Sequence, residues 1–260
     1  MLNYLRAEIY KFLHRKYFWI TLTIVLALEG LLIFGYSFTN SHGNNIDAAW
    51  AISTLFPMMG LGCFFTLLTG DMVFAQQYKH NTLKNEVSFG LPRSRIYLGK
   101  LLVQLFASVL MCFIMILFYV IGCRLFLLPN TEEANQAVLL CLGQCLLGAL
   151  PIWVGVQATV CACYFLIRSE IGSSFAAVGL FGLSANVLEL AVLFLRKYPV
   201  SEVLWKIYQH MPLVLLDDLP NTLMKPEYWP CLGKLCVVGG AWFIGSTAIG
   251  LWRFDKKEIN

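Results

Sequence analysis

Three carboxylates stand where carboxylates are costly. Glu29 falls near the middle of a long apolar stretch, Glu189 in the later part of another, and Asp71 near the end of a third. An ionisable side chain at the centre of a bilayer costs about 3 kcal/mol or more unless it pairs, takes up a proton or faces water. Each of the three is therefore a candidate for lining a path through a membrane. The alternative is a hydrogen-bonded packing residue between helices. Gln104, Gln144 and Gln157 suit interhelical hydrogen bonds better than substrate contact.

Other chemistry is missing from the sequence. There is no GxxxxGK[ST] phosphate loop, because Gly99-Lys100 and Gly233-Lys234 are each followed by leucine and lack the upstream glycine. Neither HExxH nor GxSxG occurs, and His14, His42, His80 and His210 are scattered. The nine cysteines form no CxxC pair and lie almost entirely in apolar runs, as small packing residues do. The chain is expected to bind no cofactor or metal of its own and to be no enzyme.

The elements that position these residues follow from hydropathy. Hydrophobic residues make up 58% of the chain and charged ones 13%, against about 45–50% and 25% in soluble domains. A domain of 260 residues has no interior large enough to hide that apolar surface, so lipid must cover it. Six runs, at 17–38, 51–75, 98–127, 137–167, 172–195 and 231–252, approach or exceed the roughly 20 residues needed to cross the hydrocarbon layer. They lack barrel alternation, and only helices or closed barrels satisfy backbone groups in lipid. The expected fold is an all-α integral membrane protein with six transmembrane helices. Small residues at close-packing intervals, in Ala241-xxx-Gly245, Ser246-xxx-Gly250 and Gly172-xxx-Ala176, let helix backbones approach.

Charge sets the expected orientation. With the N-terminus inside, 13 of the 19 Lys and Arg residues fall on the inner side, which favours cytoplasmic termini. No basic stripe with interleaved aromatics marks a nucleic-acid partner. In residues 1–16, Leu2, Leu5, Ile9, Phe12 and Leu13 share one arc of a helical wheel while Glu8, Lys11, His14 and Arg15 lie elsewhere. This pattern predicts an amphipathic helix along the inner membrane surface, its basic residues among anionic lipid headgroups. Two connections exceed short turns: the basic segment 76–97 on the inner side, and segment 196–230 on the outer side. In the outer one, Val203, Leu204, Ile207 and Tyr208 recur at helical spacing, and Leu213–Leu216 is too short to span. Pro199, Pro212, Pro220 and Pro226 divide it.

At segment 76–97 the residues resemble a known family. Gln77-Tyr78-Lys79-His80-Asn81-Thr82-Leu83-Lys84-Asn85, then Ser88-Phe89-Gly90-Leu91-Pro92-Arg93-Ser94-Arg95, Tyr97 and Lys100, are similar to the corresponding stretch of ABC-2 type ABC transporter permeases. Glu8-Ile9-Tyr10-Lys11 looks like that family's E-x-x-K surface helix, His210-Met211-Pro212 like the proline before its outer hairpin, and Phe254-Asp255-Lys256-Lys257-Glu258 like its cytoplasmic tail. Gln77 stands where the family often has Glu, and His80-Asn81 where a glycine is frequent. The resemblance implies a single transmembrane domain, 1–260, with a coupling segment at 76–97 and an outer hairpin at 196–230. It also implies an exporter of two such subunits, identical or paralogous, with separate ATP-binding subunits that hold ATP and Mg. Gln77, Tyr78, Lys79, Thr82, Leu83, Lys84, Val87, Arg93 and Arg95 become the expected ATPase-coupling residues. Glu29, Glu189 and Asp71 become the expected substrate-pathway residues. The layout looks most like small bacterial permeases of the cytoplasmic membrane that export antimicrobial peptides, as in lantibiotic immunity and bacitracin resistance. A membrane anchor or sensor without transport, or an ion-coupled carrier or channel, is the alternative reading of the residues alone.

Overall fold

Long apolar runs without alternation fold here as helices. The structure, a computed structural model, describes residues 2–80, 86–88, 90–167 and 169–256, with the backbone but not the side chains of residues 2, 75–80 and 170. The elements are α1 (Leu2–Leu13), α2 (Lys16–Ser41), α3 (Ala48–Ser53), a 3-10 turn (Phe56–Gly60), α4 (Leu61–His80), α5 (Arg93–Phe126), α6 (Glu132–Leu166), α7 (Glu170–Val178), a π-helical turn (Gly179–Leu183), α8 (Ser184–Phe194), α9 (Val200–Tyr208), α10 (Pro212–Asp218), a second 3-10 turn (Leu219–Thr222) and α11 (Tyr228–Lys256). No strand occurs among the described residues. Six segments are long and apolar enough to cross a membrane: Lys16–Ser41, Ala48–Phe74, Arg93–Phe126, Glu132–Leu166, Ile171–Phe194 and Tyr228–Lys256. Large apolar side chains such as Ile24, Phe113, Phe175 and Ile244 project from their outer faces. The chain is an all-α multi-pass membrane protein.

Local chemistry sets the helix boundaries. The Asp47 carboxylate accepts from the Trp50 amide at 2.6 Å and so caps α3. Thr131 does the same for α6 and Ser169 for α7. Pro92 precedes α5, Pro199 precedes α9 and Pro212 opens α10, positions that need no backbone donor. The prolines and the helical spacing of segment 196–230 thus become two short helices, and Leu215 and Leu216 of α10 are buried against the bundle.

Two spans depart from a plain α-helix. The second is interrupted between α3 and α4 by the 3-10 turn that contains Pro57, where a missing amide donor breaks the ladder. The fifth carries the π turn between α7 and α8. Neither irregularity changes a hydropathy profile.

The bundle is built around α6, in which every residue from Gly155 to Phe165 is buried. Its main partner is α11. A Cβ on Gly155 would collide with the Gly239 carbonyl, and one on Gly239 with the Pro151 carbonyl, so the two backbones touch. Thr159 and Ser246 hydroxyls bond across the seam at 2.7 Å. Of the expected small-residue pairs, Ser246 and Gly250 are in contact positions, Gly250 against the Tyr97 ring. Ala241 is exposed and Gly245 has open space beside it. Close packing uses Gly155 and Gly239 instead, because the partner surface, not the spacing alone, selects the face.

A buried polar knot joins α4, α5 and α6. The Ser108 hydroxyl donates to Gln157 Oε1 at 2.6 Å, Thr69 and Ser108 hydroxyls lie 2.8 Å apart, and the Gln104 and Gln157 amides reach the Thr66 carbonyl. Gln144 fixes the approach to α11, accepting from the Met224 amide at 3.1 Å while its carbonyl accepts from the Tyr228 hydroxyl at 3.0 Å. All three glutamines hold helices or loops together.

Candidate functional site

The chemistry of the bundle gathers where α1 and the close of α11 both lie against the start of α5. Helix α1 turns Phe12 fully inward and packs Leu5, Ile9 and Leu13 against the core. Of the five residues of the apolar arc, Leu5, Ile9, Phe12 and Leu13 thus pack at least in part against protein. Glu8, placed outside that arc by the helical wheel, is only 4% exposed. Its burial has a partner: Lys100 of α5, 2% exposed, donates to one carboxylate oxygen, and Lys11 donates to the other at 2.7 Å. The close approach of α1 depends on Gly99, where a Cβ would strike the Tyr4 ring. The Gly99-Lys100 pair that fails as a phosphate loop is thus the seat of α1.

A second carboxylate shares the same lysine. Glu86, in the helical piece 86–88, lies 3.5 Å from Lys100 and accepts from the Tyr4 hydroxyl at 3.0 Å. Arg15, just beyond α1, donates to the Met72 carbonyl of α4. Burial by itself would raise the Glu8 pKa. The charges and hydrogen bonds of Lys100 and Lys11 outweigh it and hold the carboxyl below its usual range. Burial also pushes the Tyr4 hydroxyl up, with Glu8 and Glu86 adding to the shift. Glu8 is thus kept ionised beside its lysine partners, which is how a buried charge is tolerated.

The same end collects the close of α11. Arg93 donates to the Phe254 carbonyl at 2.8 Å and the Asp255 carbonyl at 2.6 Å, satisfying orphan carbonyls at a helix C-terminus, and its guanidinium sits over the Phe254 ring. A small cleft of about 30 Å³ opens near the start of α5, lined by Tyr4, Leu91, Arg95 and Ile96.

A family model for ABC-2 family transporter proteins matches residues 4–186, well over half of the chain and running from α1 into α8. The chain belongs to that family. As an ABC-2 transporter protein it is the transmembrane subunit of an ABC exporter, and its work requires an ABC ATPase partner. No curated protein matches the chain.

Of the coupling residues expected in this ABC-2 subunit, Thr82, Leu83 and Lys84 lie outside the described residues, and Gln77, Tyr78 and Lys79 are described in backbone only, at the end of α4. Val87 packs half-buried against the core. Arg95 is exposed at the cleft, whereas Arg93 is engaged by α11. The three expected pathway acids are not brought together. Glu29 sits on α2 near Cys112 and Cys123 of α5, with one carboxylate oxygen buried and without a hydrogen-bond partner among the described residues. Asp71 is half-buried on α4 and Glu189 is exposed on α8. At the opposite end Glu189 joins Asp217 and Asp218 of α10 around Tyr208. Burial first, and then these acids, raise the Tyr208 pKa. Reading the sequence missed Tyr4, Glu86, Asp217 and Asp218, and took Lys100 as an inner-side charge and a residue of the resemblance, not as the partner of Glu8. The signal for the Glu8–Lys100 pair was present in the resemblance, which includes both residues, but nothing in local spacing joins them.

Proposed function

We propose that this subunit exports a hydrophobic or amphipathic substrate, such as an antimicrobial peptide of the lantibiotic kind or a similar drug, out of a bacterial cytoplasmic membrane. ATP and Mg are held and used by the separate ATPase, and the permease works as a pair with a second copy or a paralogue. Both termini face the cytoplasm. The observation that carries the reading is the meeting of α1, residues 86–88, the first turn of α5 and the end of α11 in one connected surface. A membrane subunit driven from outside needs such a grip, and by sequence the connection between the fourth and fifth spans is too short to supply one. Segment 76–97 rests on the ATPase, with Leu83 and the exposed part of Val87, four residues apart in the sequence, as its apolar anchor and Lys79, Lys84 and Arg95 meeting acids on the partner. Glu29 is the first pathway residue, because an unpaired carboxylate oxygen inside a span calls for a polar visitor.

Leu83→Asp tests this reading, since it places a charge in a desolvated contact. The expected result is normal insertion with loss of ATPase co-purification and of export. Wild-type co-purification and export in that variant would overturn the docking role and favour an anchor whose basic segment only fixes topology.

A further inference from the structure

Lys100 joins two parts that the sequence keeps far apart, and we propose that it and its neighbours form a relay that makes α1 move with the coupling segment. The inference rests on the docking role of segment 76–97 proposed above. It assigns positioning roles to Tyr4, Glu8, Glu86 and Lys100.

The argument is one of connection and cost. Glu86 belongs to the coupling segment, Lys100 to the second turn of α5, and Glu8 and Tyr4 to α1. Glu86 touches both other parts, through Lys100 at 3.5 Å and the Tyr4 hydroxyl at 3.0 Å. The Glu8–Lys100 contact is almost wholly out of solvent, at 4% and 2% exposure, and the Glu86 side chain is 14% exposed. Separating a buried charge from its partner is more costly than separating an exposed pair, because no water is at hand to replace the contact. A pull on residues 86–88 therefore moves α1 along rather than opening the junction. Among the described residues the contacts of Glu86 are one ammonium and one phenol, so the coupling segment is tied to both α5 and α1. Around Glu8 they are two ammonium groups and a tight seat at Gly99, so α1 keeps a fixed grip on α5. The exposed side of α1, with Arg6, Tyr10, Lys11 and His14, is then carried as a unit at the inner membrane surface.

The test follows both ends of the relay in the reconstituted complex with its ATPase. Single cysteines replace Arg6 on α1 or Ser88 in the coupling segment in a background without native cysteines, each carrying a spin label, and spectra are compared without nucleotide and with ATP trapped. The expected wild-type result is a nucleotide-dependent change at both positions. In the Tyr4→Phe, Glu86→Gln double variant the change at 88 persists and that at 6 falls to less than a third. Restoring Glu86 alone recovers part of it. A change at 6 that survives undiminished in the double variant overturns the relay, as does a wild type in which 88 responds and 6 does not. A wild type in which neither responds overturns the docking role itself, and the relay with it.

Discussion

At the terminal end of the bundle one lysine holds two carboxylates, an arginine caps α11, and α1 is seated on a glycine. At the opposite end of the fifth span, α8 buries only Ala185, α9 buries nothing, and a π turn with glycines at 179 and 182 links them to the packed helix α7. Both regions join one element to the rest of the fold, yet the first does so with buried charge and the second with a few contacts at Phe181, Ser184 and Ala185. Local stability follows buried contact. The terminal end is thus held by more buried polar contact than the α8–α9 arm.

The largest expected effect breaks the stiff end. Lys100→Met leaves Glu8 buried beside an apolar side chain, which costs about 3–5 kcal/mol and should lower the unfolding midpoint in detergent and the amount of inserted protein. Adding Glu8→Leu should recover most of the loss, since a replaced pair is far cheaper than a broken one. A single variant as stable as wild type would remove the ion pair from the account.

A smaller effect separates tight from loose glycines. Gly239→Ala forces a methyl into the Pro151 carbonyl, backbone against backbone, and should cost about 1–3 kcal/mol. Gly179→Ala meets open space and keeps a helical φ of −57°, so it should be neutral or stabilising by up to about 1 kcal/mol. Thermal unfolding of the two variants side by side checks the contrast, and equal destabilisation would erase it.

The smallest effect is a pH dependence at the junction. Glu8 faces Lys100, Lys11, Arg15 and Tyr4, with Glu86 across the shared lysine. Its folded pKa lies below the ordinary value near 4.3, so its stabilising contribution is full above that value and is lost as pH falls through the folded pKa. A spin label at position 6 should gain mobility only on acidification below the ordinary glutamate range, and Glu8→Gln should abolish that step.

The sequence by itself determined the solvent and the secondary structure. Six apolar runs of bilayer length have one solution in lipid, and the prolines of segment 196–230 mark where its short helices start, because these are local covalent and solvation constraints. The π turn at Gly179–Leu183 was not legible, since a register shift of one residue leaves hydropathy unchanged. Nor was the burial of Glu8. A helical wheel sorts residues by local angle, and by angle Glu8 lies outside the apolar arc of α1. What turns it inward is Lys100, 92 residues away, and that pairing forms only when α1 is laid across the start of α5. The same holds for Gly155 with Gly239 and for Glu86 with Tyr4. Long-range partners carry no period in the chain, so tertiary structure alone decided which charges became a junction and which remained solvent-facing.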